Sequence, residues 1–336
     1  MHAPDGVYSN SLCLIMDLAS AGILAYSLRK VWKRVGTREI LLASAVGAFS
    51  FALELASFEV TRGSTCHFMG GVFASIVLGP YLATTVMTLE HIIQVFLFQD
   101  GGIMALGPNL LTIVCISTFG GYYIYSLLKN FVIEPYGSYI SAFLSAWLTL
   151  LVTSLTVCGM LSVCGIEEFF TTLGPMVGPH VKVGVAEGML TVLLLFVIQV
   201  LAPDAFNCRS LHQKEQQEQM EKPEQKTRKC WRHQNSLPKS AKKVAYVLLG
   251  LALMVSLAIS PFASRSAEGL EKFALDRGHP APHRIIIHYQ APIPEYHLPG
   301  VRDQEMAKIL GGTIGTIATF AACMLALSII RAGSES

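Results

Sequence analysis

Residues 10–38 read NSLCLIMDLASAGILAYSLRKVWKRVGTR and combine the two signals that decide the fold. The apolar run 10–28 is long enough to cross the hydrocarbon core of a bilayer as a helix. Five basic residues follow directly in 29–38. Because Lys and Arg accumulate on the cytoplasmic side of membrane spans, this stretch predicts a membrane helix with its N-terminal end outside.

The composition of the whole chain agrees with a membrane fold. Of 336 residues, 52% are hydrophobic and only 14% are charged, whereas soluble domains carry about a quarter charged residues. The mean hydropathy is +0.49. Eight cysteines occur without a C-x-x-C pair, which argues against a zinc knuckle, a haem attachment site or a disulfide framework. We therefore expect an all-α polytopic membrane protein.

Further apolar runs set the predicted topology. The third and fourth runs meet at Gly79-Pro80, so they form either two short spans or one span plus a re-entrant piece. The stretch 204–243 holds ten basic and five acidic residues, as a cytoplasmic loop should. We expect a multi-pass cell-membrane protein with its C-terminus inside, and with 99–107 and 162–180 outside. The predicted spans are 10–28, 39–59, 67–82, 83–98, 108–128, 138–160, 183–203, 244–264 and 309–330.

These spans divide the chain into three predicted parts. Residues 1–203 form a seven-helix bundle, 204–242 a polar cytoplasmic linker, and 243–336 a two-helix unit with a large outside loop. Gly311 and Gly315 give the last span a small-residue face that favours close packing against another helix. No basic segment precedes the first span and no small-residue cleavage site follows it, so we expect the mature chain to begin at Met1.

The first two residues and one histidine offer metal chemistry. The amine of Met1, the backbone amide of His2 and the imidazole of His2 form a chelate of three nitrogens. His67, at the outer end of the third predicted span, would supply a fourth. Ni(II) and Cu(II) favour such a square of nitrogens. The alternative is that His2 is an ordinary surface residue and His67 a helix-end histidine with satisfied hydrogen bonds.

Several segments of 1–203 resemble the CbiM/NikM family, the substrate-capture components of energy-coupling-factor transporters for cobalt and nickel. The family opens on Met-His-Ile-Pro-Asp-Gly and carries a Gly-His-Leu-Leu-Gly segment, a Gly-Asp-Gly-Gly turn and a glutamate-bearing helix. The matching segments are MHAPDGVYS (1–9), GSTCHFMGG (63–71), VMTLEHIIQVFLFQDGGIMALGPNLL (86–111) and VGVAEGMLT (183–191).

The second unit resembles the family's small partner, NikN, with its Pro-Asp-Gly-Leu-Glu signature. That signature reads AEGLEKFA at 267–274, followed by APIPEYHLPG at 291–300. Ala267-Glu268 replaces Pro-Asp, and Cys66 replaces a glycine before His67. Ser57 and Thr112 stand where the family commonly has asparagine, which changes groups expected around the metal ligands.

The resemblance implies a transporter subunit that binds nickel or cobalt, with nickel favoured by the partner signature. It implies Met1, His2 and His67 as metal ligands. It also implies a cytoplasmic ABC-type ATPase and a membrane coupling (T) subunit as partners, with no cofactor beyond the transported Ni²⁺ or Co²⁺. Residues expected to support the ligands or the adjoining loop are Cys66, Ser57, Asp100, Asn109 and Glu187.

Several choices stay open at this stage. Cys66 is either a soft fifth ligand or a small buried residue. Asp17, Glu54, Glu90 and His91 lie inside spans, where ionisable groups are by default functional hypotheses; they either brace the bundle, line a hydrated cleft or contact the coupling subunit. The outside-loop histidines serve metal delivery or lie in an exposed loop. They are His279, His283, His288 and His297.

The sequence also limits the function classes. It contains no Gly-x-x-x-x-Gly-Lys-Ser/Thr phosphate loop, so the chain does not supply its own ATPase. It lacks the Gly-x-Ser-x-Gly and His-Glu-x-x-His motifs of common hydrolases. Membrane lipids are expected partners and nucleic acid is not. The alternatives are a cobalt importer subunit for cobalamin biosynthesis, a membrane metal sensor and a membrane metalloenzyme.

Overall fold

A computed structural model describes residues 2–32, 35–61, 64–132, 136–202, 240–258, 270 and 289–335. It is almost entirely helical, with one small antiparallel hairpin. In chain order the elements are α1 Asn10–Val31, α2 Thr37–Leu55, β1 Phe58–Thr61, β2 Ser64–Cys66, α3 Gly71–Leu78, α4 Pro80–Phe98, α5 Leu106–Lys129, α6 Gly137–Val163, α7 Phe169–Leu201, α8 Ser240–Ala258 and α9 Gln304–Glu335.

Seven helices of the described chain are long and apolar enough to cross a membrane, namely α1 and α4 through α9. The predicted all-α polytopic fold is thereby confirmed. Helix α2 covers most of the predicted span 39–59 but includes Arg38, Glu39 and Glu54. It lies at the centre of the bundle and packs against α3, α4, α8 and α9.

The predicted span 67–82 is wrong as a span. Helix α3 has 8 residues and is therefore about 12 Å long, well short of a bilayer core of about 30 Å. The hairpin of β1 and β2 precedes it, and Gly79, at φ +84°, breaks the chain before Pro80 begins α4. Of the two alternatives, the structure has one full span, α4, preceded by a short helix.

The segment 162–180, predicted to lie outside the membrane, is helical over most of its length. Helix α7 begins at Phe169 and continues for 33 residues through Pro175 and Pro179. These prolines favour a loop in a soluble protein, but membrane helices tolerate proline because neighbouring groups satisfy the freed carbonyls. The connection between α6 and α7 is thus a short turn.

Two helices depart from regular α geometry close to each other. Helix α4 becomes a π-helix over Gln94–Phe98, and α5 is π-helical over Leu110–Gly120. Such segments occur frequently at functional sites because they redirect side chains. The turn between these two helices approaches the N-terminal segment, as described below.

The C-terminal helices pack on the N-terminal bundle. Val244 and Leu248 of α8 belong to the same buried cluster as Val46 and Phe49 of α2. Gly315 of α9 lies against Phe51, where a Cβ atom would collide with the ring. Of the small-residue face predicted for the last span, Gly315 therefore packs against another helix, α2, whereas Gly311 lies against the backbone of Tyr296. Hydroxyl pairs Thr84–Thr118 and Ser256–Thr316, each 2.6 Å apart, join further helices.

Candidate metal centre

The N-terminal segment is folded into the bundle. Asn109, at the start of α5, accepts the N–H of Ala3 at 2.8 Å and donates to the carbonyl of Ala3 at 3.1 Å. The N–H of Gly102 donates to the same carbonyl at 2.9 Å. Three hydrogen bonds to one residue fix the backbone beside His2, whose exposed fraction is 5%.

The turn between α4 and α5 closes tightly over that segment. Gly101 has φ +99°, a conformation that favours glycine, and a Cβ atom at Gly102 would collide with the Asp5 carboxylate. Asp5 accepts the N–H groups of Met104 and Ala105 at 2.7 and 3.2 Å. The two glycines and Asp5 together hold the turn against the N-terminal segment.

His2 lies in a stack of three imidazoles. Its ring centroid is 5.0 Å from that of His67, with an interplanar angle of 18°. It is 5.1 Å from that of His91, with an angle of 10°. All three side chains are buried. The predicted pair His2 and His67 is brought together, and His91 joins it from α4.

His67 is oriented by its backbone surroundings. Its Nδ1 lies 2.9 Å from the carbonyl of Phe68 and donates to it, which places the ring lone pair on Nε2. The segment that follows is held by Glu187 of α7, whose carboxylate accepts the N–H groups of Met69 at 3.0 Å and Gly70 at 2.8 Å. Glu187 thus holds the backbone that follows His67 and not the imidazole itself.

Two carboxylates flank the His2 ring. Asp100 Oδ1 lies 3.1 Å from His2 Nδ1, and Glu54 Oε2 lies 3.8 Å from His2 Nε2. The hydroxyl of Tyr296, from the segment before α9, donates to Asp100 Oδ2. The C-terminal unit therefore reaches the carboxylate that contacts His2.

Tyr296 is itself tightly enclosed. Its ring stacks on Phe98 with centroids 4.6 Å apart. Burial, together with the adjacent Asp100 carboxylate, raises the pKa of the Tyr296 phenol well above its usual range, so the phenol stays protonated and remains a donor. Glu295 and Tyr296 have φ of 52° and 62°, left-handed conformations that cost free energy and occur where packing imposes them.

The other predicted residues lie at varying distances from this centre. Cys66 is a buried residue at the end of β2, among Met69, Ile113 and Leu150. Ser57 donates its backbone N–H to the carbonyl of Leu55 at 2.9 Å. The half-buried His297 has Nδ1 2.8 Å from the carbonyl of Glu295. Some predictions concern residues that lie outside the described ranges, namely Met1, Ala267, Glu268, most of the linker 204–242, His279, His283 and His288.

Sequence reasoning missed three contributors. Asp5 sits in the quoted opening MHAPDG, where an acid before glycine signals a turn. Gln94 lies one helical turn after His91, a spacing that places both side chains on one face. Tyr296 is 196 positions from its partner Asp100, and no local pattern connects two such distant residues.

The donor set fits a metal that takes backbone nitrogens. No three His, Cys, Asp or Glu side chains in the described ranges converge closely enough to hold a metal by themselves. Two buried imidazoles lie beside a fixed backbone, and a backbone amide can replace a side-chain ligand for Ni(II) or Cu(II). A transition metal at His2 and His67 therefore requires nitrogens from the N-terminal backbone.

Family profiles match both parts of the chain. Residues 2–205 match the family described as cobalt uptake substrate-specific transmembrane region, CbiM. Residues 242–332 match the PDGLE domain. These ranges leave the predicted boundaries at 203/204 and 242/243 as predictions.

Individual relatives agree with this assignment. A putative fused nickel transport protein, NikMN, of Archaeoglobus fulgidus is 27% identical over 96% of each chain. A putative metal transport protein of Haloquadratum walsbyi is 32% identical over 61% of this chain and 92% of its own. A crystal structure described as a transition metal transporter matches with a TM-score of 0.53 and 26% identity, over 60% of this chain and 93% of that one.

The profile matches and these relatives, the latter all described as metal transport proteins or transporters, bear out the predicted family and the predicted transporter subunit. The seven apolar helices agree with a multi-pass membrane protein. Since the first profile spans more than half of the sequence, the chain belongs to the CbiM family of metal transport proteins and carries a PDGLE domain at its C-terminus.

Proposed function

We propose that this chain is the metal-capture subunit of an energy-coupling-factor importer for nickel. The ion is bound by the amine of Met1, the deprotonated backbone amide and imidazole of His2, and the imidazole of His67. The chain supplies recognition, and a cytoplasmic ATPase with a membrane coupling subunit supplies the energy.

This proposal rests on the three hydrogen bonds that Ala3 makes with Asn109 and Gly102, which we call the clamp. A histidine at position 2 that served only as a surface residue would not need three hydrogen bonds on its neighbour. The clamp instead holds the backbone of His2 beside the His67 ring, 5.0 Å from ring to ring. Holding ligands in place before the ion arrives lowers the entropy cost of binding.

The carboxylates around His2 are suited to reversible binding of a cation. Asp100 contacts His2 Nδ1, the atom that would close a chelate with the amide. Binding at that atom replaces the contact with Asp100, whose charge then neutralises part of the charge of the ion. Tyr296 keeps donating to the other carboxylate oxygen.

Nickel is proposed over cobalt for two reasons. Nitrogen sites bind Ni(II) more tightly than Co(II) by the usual order of divalent metals. A fused relative from Archaeoglobus fulgidus carries the name of a nickel transport protein. Genes for urease or hydrogenase beside this one would favour nickel, and genes for corrin-ring synthesis would favour the cobalt alternative.

The assembly follows the same proposal. The N-terminus faces outside and the C-terminus inside. Residues 1–203 bind the ion, 204–242 link the units in the cytoplasm, and 243–336 cover the outer end of the site. The basic stretch 29–38 lies at the inner surface, where it also contacts anionic lipids.

The direct test is metal binding by the purified full chain. Ni²⁺ binding is measured by equilibrium dialysis for the wild type, for His2→Ala and for a variant with four alanines added before Met1. The first change removes the imidazole and the second turns the Met1 amine into an amide far from the new N-terminus, so the tight binding is expected to disappear. His180→Gln is the control, because His180 is a buried histidine on α7 whose Nδ1 approaches the carbonyl of Met176.

Wild-type affinity in either variant would place the site elsewhere and defeat the proposal. Transport is tested by co-expression with ATPase and coupling subunits, followed by measurement of cellular nickel. A metal sensor would bind nickel without uptake in this assay. A metalloenzyme would show turnover by the purified protein alone.

A further inference from the structure

His91 lies next to His2 but is not a ligand in the site proposed for Met1, His2 and His67. It lies on α4, is fully buried, and stacks on His2 at 5.1 Å. The segment that carries it lies within the chain's family resemblance, yet the resemblance assigns no function to this position. Its surroundings therefore decide what it does.

A chain of side chains fixes which nitrogen of His91 carries the proton. Glu54, on α2, accepts the Nε2–H of Gln94 at 2.6 Å. The amide oxygen of Gln94 then faces His91 Nδ1, 3.1 Å away. An oxygen cannot donate, so His91 Nδ1 is the donor and the ring lone pair lies on Nε2. Metal-binding histidines are oriented in this way, with the other nitrogen donating to a fixed acceptor.

The lone-pair nitrogen is buried without a partner. His91 Nε2 makes no hydrogen bond with any described residue and has no access to solvent. A histidine that only braced two helices would use both of its nitrogens, since an unmet buried acceptor costs free energy. His91 is thus held by one nitrogen while the other is kept open beside His2.

The charge around His91 favours a cation. Glu54 Oε1 and both oxygens of Glu90 are buried and have no hydrogen-bond partner among the described residues. Glu54 also lies 3.8 Å from His2. Buried carboxylates are costly unless a cation or hydrogen bonds compensate them. A divalent ion at His91 Nε2, in the plane of that ring, would meet an imidazole nitrogen and adjacent carboxyl oxygens.

We propose that His91 is the ligand of a second, inner position for a divalent transition-metal ion, adjacent to the position formed by His2 and His67. This inference rests on the proposed function. Because no three ligating side chains converge there in the described ranges, water completes the coordination and the inner position binds more weakly than the outer one. An ion leaving the outer position thus has an imidazole to move to.

The test counts ions per chain. The full chain in detergent is titrated with Ni²⁺ by equilibrium dialysis with elemental analysis. The wild type is expected to bind one ion tightly and a second at least about tenfold more weakly. His91→Gln keeps the first step within about threefold and loses the second. His180→Gln keeps both steps and serves as the matched buried control.

A second variant guards against misfolding of His91→Gln. Gln94→Leu keeps His91 but removes the acceptor that orients it, and loss of such a partner typically lowers metal affinity about ten- to hundredfold. The weak step alone should shift by that factor. With Cu²⁺ as probe, pulsed electron paramagnetic resonance at two ions per chain should show imidazole coupling that His91→Gln removes from the second ion.

The outcomes separate this inference from the proposed function. If the wild type binds only one ion, or if His91→Gln retains both steps, the inner position does not exist, and the outer site stands. If His2→Ala loses the tight step and keeps the weak one, both proposals are supported. If the wild type binds no ion, both fail.

Discussion

His67 and His91 lie at nearly the same distance from His2 but are held in different ways. His67 follows a hairpin, and a backbone carbonyl accepts its Nδ1–H. His91 lies within a continuous helix, and a side-chain amide accepts its Nδ1–H. The first arrangement is set by local backbone folding and the second by packing between α2 and α4.

This difference teaches how each histidine can respond to a metal. A backbone carbonyl in a segment braced by Glu187 is a rigid partner, which suits a tight site. Gln94 and Glu54 are side chains with rotatable bonds, which suits a site that an ion enters and leaves. The predictions below test whether the two histidines serve positions of unequal strength.

The largest expected difference is in pH dependence. At the outer position the Met1 amine, with an ordinary pKa near 8, and the His2 amide must both lose protons before they bind. Acid therefore weakens the outer position, by roughly five-thousandfold between pH 8 and pH 6 from these two protons alone. The inner position needs only a neutral imidazole, which gives up no proton on binding, and should depend on pH much less steeply. Nickel titrations at several pH values measure both slopes, and equal slopes would contradict the distinction.

Removing His67 should affect the outer position alone. Loss of a residue that merely supports a ligand costs about ten- to hundredfold in affinity, so loss of the ligand in His67→Ala should cost at least about a hundredfold. Isothermal titration with Ni²⁺ measures the change. His91→Gln is the comparison variant, and a similar loss of tight binding in it would show that the two histidines share one ion.

Removing the clamp should weaken the outer position by less. Asn109→Ala deletes two of the three hydrogen bonds on Ala3 and so loosens His2, a ligand of the outer position. We expect about a tenfold loss of Ni²⁺ affinity at the outer position and no change at the inner one. Thr112→Ser, whose hydroxyl still reaches the carbonyl of Pro108 within its own helix, serves as the control. An unchanged affinity in Asn109→Ala would mean that the clamp does not position His2.

The helical spans were predictable because hydrophobic runs of sufficient length have few alternatives in a membrane. The wrong span at 67–82 and the unexpected helix within 162–180 have physical causes. A run of apolar residues does not reveal that Gly70 and Gly79 flank α3 and limit it to eight residues. Proline and glycine suggest a loop, yet α7 continues through Pro175 and Pro179 because membrane helices tolerate them.

The site was predictable only in part for a similar reason. His2 and His67 were recognised from their metal chemistry and from a family resemblance. Both kinds of evidence can be read from short segments of sequence. The stacking of His91 on His2 depends on how α4 is rotated about its axis, and that rotation is set by the helices packed against it, α1, α2, α3, α5 and α9. The contact of Tyr296 with Asp100 depends on the docking of a separate segment, which short patterns do not encode.

The contact between Tyr296 and Asp100 joins two units that belong to one covalent chain, and this connection affects how often the contact forms. A separate subunit covering the site would be bound in proportion to its abundance. A cover on the same chain is present at an effective concentration of about millimolar, whatever the expression level. The contact can therefore be individually weak and still be formed most of the time. The cover can open for an ion and close again without ever leaving the transporter.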